Sequence, residues 1–498
     1  MDIRTQGIQG TWFAREGSES SLSTPRARMK ICVPMSWCHD FSALALSFAL
    51  ATGLTNAAHA QAPATDLQPK LTSAYAKVEL IAAKAARVRN IDELRNLQAA
   101  YGYYVDKALW DDVADLFADN GTMELGLNGV YAGKNSIRKY LYSLTGGKPG
   151  LRAGEINNHF QLSPVITLAP DGQSAQARWR GLIQGGVFGK GSGGDWGEGI
   201  YENEYVQDHG VWKIKSLHFY TKFYAPYEGG WTKAPKGSAL RYGKSAVRPD
   251  KPSSVKYQPY PAQFTPPFHY ENPVSSSYTF HSATSDAGAG AAKNPPPKTV
   301  AELEAQVRAL ELQVDRLQSA VDVENVNSSY GFYVDKSMQD AISALFTEDS
   351  TLEILGRGVF IGRDRVYEYM RRLGAPQVGS LFNHMQLQPL VTISPDGTTA
   401  QMRTRLFVMF GQVDRSAQWG EGIYENTFVK EGGVWKYKNL HGYQTYYTNY
   451  NEGWAKHSAG MFAPFPNYPP DMPQSVAYDA YPALFTPPFH YAHPVTGR

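Results

Sequence analysis

Residue types that can carry acid–base chemistry occur twice in this chain, in the same order. Tyr101 precedes Asp106 by five residues, and Tyr330 precedes Asp335 by the same spacing. Candidate histidines follow each pair, His159 and His218 in the first copy and His384 and His441 in the second. An imidazole can remove a proton near neutral pH, a carboxylate can orient it, and a phenol can protonate a leaving oxygen. The set favours an enzyme, since a carrier has no need of all three groups.

The chemistry that these residues suit is proton removal followed by loss of a group from the neighbouring carbon. Such a reaction needs a base, an acid and donors for the developing oxyanion, and it needs no cofactor. No glycine fingerprint leads from a strand into a helix, and His490 and His493 have no carboxylate nearby in sequence. Cys32 and Cys38 both lie in the N-terminal segment. We therefore predict neither a cofactor nor a metal.

The two sets of residues belong to a long internal repeat. The heptapeptide FTPPFHY occurs at 264–270 and again at 485–491, and YGYYVDK at 101–107 returns as YGFYVDK at 330–336. The period is too long for a solenoid, so the repeat indicates two tandem domains. Two prolines followed by two aromatic residues make FTPPFHY a stiff extended arm. We expect it to lie over a domain edge or a pocket mouth.

The expected organisation has a leader, two domains and a linker. An apolar run at 41–54 after basic residues, followed by Ala58-His59-Ala60, is typical of a secretory signal. If Met29 is the true start, residues 1–28 are a gene-model extension. The predicted parts are a signal segment 1–62, a first domain 74–271, a linker 272–298 and a second domain 299–494. The signal predicts a periplasmic or secreted protein.

Helices come first and strands later within each copy. Residues 94–119 have the apolar spacing of helices, with a break near Asp106. Asp171-Gly172 and His209-Gly210 join alternating stretches, as hairpin turns do. The pattern predicts an α+β fold in which helices gather on one side of a bent antiparallel sheet.

The second copy begins with a helix-capping motif followed by a stripe, or seam, of apolar residues at helical spacing. Thr299 and Glu302 fit a capping box, and apolar residues within 303–321 recur at steps of four and three. A helix is predicted there, with a weaker counterpart at 74–98. The seam suits packing on its own domain or against another chain, and the sequence leaves both open.

Both copies resemble the SnoaL-like families of the nuclear transport factor 2-like superfamily, as in YGFYVDK, NHMQLQP and GVWKYKNLH of the second copy. The resemblance implies two tandem cone-shaped α+β barrels, each with a pocket between its helices and a curved antiparallel sheet. The motifs are most similar to cofactor-independent dehydratases and lyases, notably the bacterial bile-acid dehydratases. The catalytic residues that this resemblance implies are Tyr101, Asp106 and His159, and Tyr330, Asp335 and His384.

The sequence departs from that pattern on later strands. Ile183 and Val408 stand where the dehydratases have an aspartate, and His218 and His441 stand in place of their arginine on the last strand. Two histidines with an Asp-Tyr pair also resemble scytalone dehydratase, in which the second histidine lies on a different strand. His218 shares strand parity with Trp212, so a core histidine is the alternative. The WGEGIYEN segment of each copy adds two glutamates, either pocket carboxylates or a solvent-facing pair, and its glycines suggest a bulge.

Together with these residues, the resemblance implies a lyase that acts on a hydroxylated aromatic compound of the lignin-derived diaryl type, or on a polycyclic one, with loss of water, or of formaldehyde as in the lignin-fragment lyases of the superfamily. An aromatic content of 13% suits a small hydrophobic aromatic substrate. The alternatives are a periplasmic carrier of small aromatics, or an isomerase or cyclase that uses the same pocket.

Charge and hydropathy limit the partners. The net charge is +2 with scattered basic residues, which argues against nucleic acid, and the run at 41–54 is too short to span a bilayer. We expect the two copies to pack sheet to sheet as an internal pseudo-dimer. Association into a homo-oligomer is left open.

Overall fold

The computed structural model describes residues 67–233 except 190 and 192, residues 247–270, and residues 296–498 except 376. The predicted signal segment and most of the predicted linker lie outside the described residues. Residues Leu71–Arg498 form one compact unit. In the described part of the chain, no helix has both the length and the apolar character needed to cross a membrane.

The first domain combines helices with one curved sheet. Its described α-helices are α1 (Leu67–Asp106), α2 (Trp110–Asp115) and α3 (Lys134–Ser143), and a 3-10 helix covers Gly230–Lys233. Its described strands are β1 (Phe117–Leu125), β2 (Val130–Ala132), β3 (Glu155–Leu168), β4 (Ser174–Val187), β5 (Gly194–Asp208) and β6 (Val211–Pro226). The sheet order is β2-β1-β6-β5-β4-β3, and neighbours are antiparallel except β1 and β6.

The second domain repeats this architecture. Its described helices are α4 (Val300–Asp335), α5 (Gln339–Ala344) and α6 (Arg363–Arg372). Its described strands are β7 (Phe346–Ile354), β8 (Val359–Ile361), β9 (Ser380–Ile393), β10 (Thr399–Gln412), β11 (Ser416–Glu431) and β12 (Val434–Asn449). The order β8-β7-β12-β11-β10-β9 matches the first sheet. The predicted α+β fold in two tandem copies is confirmed, with sheets that are curved but not closed.

The long helices begin and end where local signals place them. Thr299 caps α4, and its hydroxyl accepts a hydrogen bond from the Glu302 amide at 3.2 Å, which confirms the predicted cap. The break near Asp106 is also confirmed, because α1 ends there. Ala108 and Ser337, just beyond α1 and α4, have left-handed backbone angles that no helix can continue through.

Each sheet has a helix face, which α1 or α4 covers, and an outer face. Asn203 on β5 donates to the Gln98 side chain of α1 at 3.2 Å and therefore points to the helix face. Leu217 pairs with Asn203, and His218 pairs with Glu202. Since paired residues share a face and successive residues alternate, Leu217 lies on the helix face and His218 on the outer face.

An extra residue in β6 explains the position of His218. Ser216 pairs with Glu204, but Ile214 pairs with Tyr205, so one β6 residue is bulged out. The bulge reverses the strand parity on which the core-histidine alternative rested. Ile214 stays in the core, whereas His218 turns outward.

The glycines of WGEGIYEN also mark a bulge, as predicted. The register shifts between Glu198 and Gly199, and again at Gly422 of the second copy. A Cβ on Gly199 would lie 2.5 Å from the carbonyl oxygen of Tyr220, and one on Gly422 would lie 2.5 Å from that of Tyr443. The strands approach too closely there for a side chain.

The FTPPFHY arm lies along the outer face of its own sheet. His269 Nδ1 is 2.9 Å from Glu202 Oε2, and Arg178 donates to the Pro267 carbonyl at 3.1 Å. In the second domain, His490 Nδ1 is 2.6 Å from Glu425 Oε2. The repeated heptapeptide is thus a strap that each domain uses in the same way.

The two domains contact each other through their sheets. The ring centroids of Phe160 and Phe407 are 5.5 Å apart, and those of Trp196 and Trp419 are 6.1 Å apart. All four side chains lie on the outer faces of the sheets, because paired residues share a face and successive residues alternate between faces. The C-terminal end of α1 joins this contact, since the Tyr103 hydroxyl of the first domain donates to a carbonyl of β9.

Candidate functional site

Aromatic rings surround one of the predicted histidines. The rings of Phe382 and Phe410 stack with centroids 4.6 Å apart and lie 4.5 and 5.3 Å from the ring of His384. Phe410 also stacks on Tyr447 at 5.9 Å. We call these four residues and Asp335 the His384 cluster. It offers flat apolar surface directly beside an imidazole.

Asp335, the last residue of α4, contacts both the backbone and the ring of His384. Its Oδ1 accepts a hydrogen bond from the His384 amide at 2.6 Å and lies 3.7 Å from Nδ1. No described residue makes a hydrogen bond to that buried Nδ1. Burial lowers the pKa of His384 below its usual value, and the Asp335 carboxylate partly opposes the shift. The imidazole is therefore neutral at pH 7, which is the form a general base needs.

Tyr330 lies on α4, five residues before Asp335. Its ring is 6.4 Å from that of Tyr424 and 5.7 Å from that of Tyr437. Burial raises the pKa of Tyr330 well above its usual value, and nearby tyrosines including Tyr447 raise it further. The Tyr330 hydroxyl therefore keeps its proton at neutral pH and can act as a donor.

The first domain repeats the backbone contact but not the rings. Asp106 Oδ1 accepts a hydrogen bond from the His159 amide at 2.6 Å. Tyr101 is buried edge-to-face against Tyr201, with centroids 6.0 Å apart. Asn157 pairs with Gly185 at the place where the second domain pairs Phe382 with Phe410. The flat apolar surface is thus particular to the second domain.

A residue of the second domain holds the carboxylate of the first. Arg405 donates through Nη2 to Asp106 and through Nη1 to Glu421, the latter at 2.7 Å, and all three side chains are buried. Burial alone would lower the pKa of Arg405, but the two carboxylates outweigh it and raise that pKa. Burial raises the pKa of Asp106, and Arg405 opposes that shift. The charged guanidinium fixes the orientation of Asp106.

Asp106 also lines a small cleft between the domains. Asn157, Gln444 and Tyr481 contribute to its walls, and its volume is about 20 Å³. A cavity of this size holds a single water molecule rather than an aromatic ring.

The other two predicted histidines, His218 and His441, lie on the outer faces of their sheets, whereas His384 lies on the helix face of the second sheet. His218 stacks on Tyr220 with centroids 3.8 Å apart, and its Nδ1 is 3.8 Å from Glu124 Oε2. His441 stacks on Tyr443 at 4.0 Å. Burial lowers the pKa of both histidines, against the effect of neighbouring glutamates. Both histidines therefore lie on the side of the sheet that carries the FTPPFHY strap.

The WGEGIYEN glutamates bind arginines that the sequence analysis did not single out. The pairs are Glu198 with Arg180, Glu202 with Arg178, Glu421 with Arg405, and Glu425 with Arg403. A signal for them was present, because both copies carry two arginines at matching positions of β4 and β10. Within the described ranges, no group of three His, Cys, Asp or Glu side chains is arranged to hold a metal ion.

Comparisons with known proteins place the chain in a family. Among solved structures, a proposed scytalone dehydratase from Novosphingobium aromaticivorans is 20% identical, with a TM-score of 0.25, over 31% of this chain and 97% of its own. A hexachlorocyclohexane dehydrochlorinase, LinA-type3 from Novosphingobium barchaimii, is 18% identical, with a TM-score of 0.25, over 27% of this chain and 92% of its own. Likenesses this low carry no argument about activity. No curated protein matches the chain. The SnoaL-like domain family matches residues 86–218 and again 315–441, together more than half of the chain. The chain therefore belongs to the SnoaL-like domain family, with two copies of the domain in tandem.

Proposed function

We propose that this protein is a cofactor-independent lyase that acts on a hydroxylated aromatic compound, with His384 as its base. The observation that carries the proposal is the position of the His384 imidazole, 3.7 Å from Asp335 and beside the stacked rings of Phe382 and Phe410. Stacked rings favour a flat aromatic substrate, and an imidazole with a carboxylate partner suits proton removal. The signal segment predicted at 1–62 would place the reaction in the periplasm or outside the cell.

In the proposed dehydration, His384 takes a proton from a carbon next to a carbonyl or a phenolic ring. The Asp335 carboxylate stabilises the imidazolium that forms. The electron pair of the broken C–H bond forms a double bond to the neighbouring carbon, and the hydroxyl on that carbon leaves as water with the proton that the imidazolium gives back. Tyr330, which is protonated at neutral pH, supplies a hydrogen bond to the developing oxyanion.

Loss of formaldehyde would use the same base on a different proton. His384 would remove the proton of a hydroxymethyl oxygen, and the C–C bond to the substrate would break as formaldehyde forms. The electron pair of that bond would pass into the conjugated aromatic system, which takes a proton back from the imidazolium.

A carrier of small aromatic compounds is the second candidate. The stacked pair of Phe382 and Phe410 favours it, because a flat molecule can stack on the outer face of such a pair without any chemistry. The two candidates differ in whether bound compound is converted.

The test is to incubate the purified protein with lignin-type diaryl compounds and hydroxysteroids, and to follow loss of water by mass spectrometry and release of formaldehyde by a colorimetric assay. His384→Ala should lower turnover by about 10²–10⁴-fold while binding and melting temperature stay nearly unchanged. His159→Ala, at the matching position of the first domain, is the control and should change turnover little. Undiminished turnover in His384→Ala would refute the assignment of the base, and binding without conversion across the panel would favour the carrier.

A further inference from the structure

The contact between the two domains follows a pseudo-two-fold axis. Residues at matching positions of the two copies touch each other, since the ring centroids of Trp196 and Trp419 are 6.1 Å apart and Arg95 Nη2 is 2.8 Å from Glu324 Oε2. Contacts between matching residues lie at such an axis, so the interface has two halves, one on each side, built from matching positions of the repeat.

One half of the interface is closed and the other is open. Three apolar side chains are buried in the closed half, namely Tyr103 (1% exposed), Ile156 (4%) and Trp454 (0%). The residues at the matching positions of the other half are exposed, namely Phe332 (72%), Leu381 (53%) and Trp231 (58%). These three exposed residues, together with Arg180 and Lys222, are called the open half below.

The closed half shows what the arginines at this place on the sheet bind. Arg405 donates to the Asp106 carboxylate, and its guanidinium lies 5.4 Å from the centroid of the Tyr103 ring. The guanidinium of Arg403 lies 4.8 Å from the same centroid. This face of the second sheet therefore holds an aromatic ring against two guanidinium groups, with a carboxylate beside the ring.

The first sheet repeats these arginines without the ring and the carboxylate. Arg178 and Arg180 hold the positions of Arg403 and Arg405, and each is bonded to its WGEGIYEN glutamate in the same way. The Arg180 side chain is 49% exposed, and among the described residues none accepts a hydrogen bond from its Nη2. The atom that corresponds to the one bound to Asp106 is thus open to a ligand.

The open half also carries more positive charge than the closed half. Arg180 and Lys222 share the one carboxylate of Glu198, with Lys222 Nζ 3.5 Å from Glu198 Oε2. In the closed half a single cation, Arg405, serves two carboxylates, and Thr445 stands at the position of Lys222. The closed half supplies its own anion, whereas the charge of the open half favours an anion from solution.

The open half leads to the His384 cluster. Asp335 of that cluster holds the position that Asp106 holds in the closed half, and Leu381 directly precedes one of its phenylalanines. Asp106 and Ile156, the matching residues of the closed half, line the same small cleft. A ligand in the open half would therefore lie beside the aspartate that contacts the candidate base.

We propose that the open half binds an aromatic carboxylate. The carboxylate of this ligand would bind Arg180 and Lys222, as the Asp106 carboxylate binds Arg405, and its ring would take the place of the Tyr103 ring. The exposed apolar side chains of the open half would cover the ring. To call this ligand the substrate rests on the proposed function, and it adds that the hydroxylated aromatic substrate carries an acid group.

The first test is isothermal titration calorimetry with 2-naphthoate, a planar carboxylate, and with 2-naphthalenemethanol, a neutral compound of similar shape. We expect one 2-naphthoate per chain, because the closed half is filled by its own ring and carboxylate, and weaker binding of the alcohol. Arg180→Gln should lower the affinity for 2-naphthoate about 10- to 100-fold, since a charge-assisted hydrogen bond is lost, and should change binding of the alcohol little. Phe332→Ala should weaken the binding of both compounds.

Two exposed residues outside the open half provide matched controls. Arg308→Gln makes the same change on α4, about 40 Å from Asp335 along the helix, and Val434→Ala removes another exposed apolar side chain. Both variants should bind 2-naphthoate as the wild type does. Asp335→Asn should bind it more tightly, because the Asp335 carboxylate opposes a second negative charge. Equal affinity for the two compounds, or undiminished binding of 2-naphthoate by Arg180→Gln, would overturn the proposal.

This binding is measured without turnover, so the ligand site and the proposed function fail separately. A protein that binds 2-naphthoate as expected but converts no aromatic compound keeps the site and loses the function. A protein that converts neutral aromatic compounds but does not bind 2-naphthoate keeps the function, and the proposed ligand is then wrong.

Discussion

Arg405 of the second domain binds the carboxylate of Asp106 in the first domain, and neither side chain is open to solvent. The guanidinium also lies 4.7 Å from the centroid of the Phe160 ring. The ion pair therefore joins the domains at Asp106, the residue that also contacts His159. Removal of the Arg405 side chain would leave the buried Asp106 carboxylate without its partner, and an unpaired charge in a region of low dielectric lowers the stability of the fold.

Arg405→Met should destabilise the protein strongly. Breaking a buried ion pair by removing one partner costs about 3–5 kcal/mol, so we expect a loss of that size in the free energy of unfolding. Arg180→Met is the matched control, because Arg180 holds the same position in the first domain with its side chain half exposed. Its loss should cost about 1 kcal/mol or less. Guanidinium titrations at low protein concentration give both values, and equal effects would show that burial of the pair is not what stabilises the interface.

Asp335→Asn should move the pH profile of turnover. The Asp335 carboxylate raises the pKa of His384 against the effect of burial, so its removal lets that pKa fall further. The acid limb of kcat/KM should therefore shift to lower pH, together with a lower plateau. Asp340→Asn, an exposed change on α5, should leave the limb in place. A limb that stays fixed or moves to higher pH in Asp335→Asn would contradict His384 as the base.

The protein should lose stability as the pH falls below about 6.5. Burial lowers the pKa of His218, His384 and His441 below the ordinary value of 6.5, so the unfolded chain takes up protons before the folded chain does. Acid then favours the unfolded state, and this loss is absent above the unfolded pKa. His441→Asn should lose less stability than the wild type between pH 7 and pH 5, as melting temperatures would show. An equal or larger loss in the variant would contradict the shift assigned to His441.

Gly199→Ala should destabilise the first sheet. The new methyl group would lie 2.5 Å from the carbonyl oxygen of Tyr220, so the strands must move apart. Overpacking of this kind costs about 1–3 kcal/mol. Gly193→Ala is the control, because a methyl group at that exposed position would meet nothing within 4 Å. Thermal unfolding of the two variants would compare them, and a tolerated Gly199→Ala would show that the bulge has room for a side chain.

Much of the fold follows from patterns that are local in the sequence. The repeated segments predicted two tandem α+β domains, and both sheets have the same strand order. The Thr299 cap, the end of α1 at Asp106 and the bulge at Gly199 are all present. These features depend on backbone preferences and hydrogen bonds within a few residues, so a short stretch of sequence is enough to indicate them.

The arrangement of the candidate site depended on longer-range contacts. One bulged residue in β6 turned His218 to the outer face, and β9–β10 pairing brought Phe382 and Phe410 together beside His384. Arg405 binds an aspartate 299 residues away in the chain. The sequence by itself determined which residues with acid–base chemistry exist and which helix or strand each one occupies. Only the tertiary structure decided which of them meet, because strand register and domain packing arise from the combined burial of many distant side chains, which no local spacing encodes.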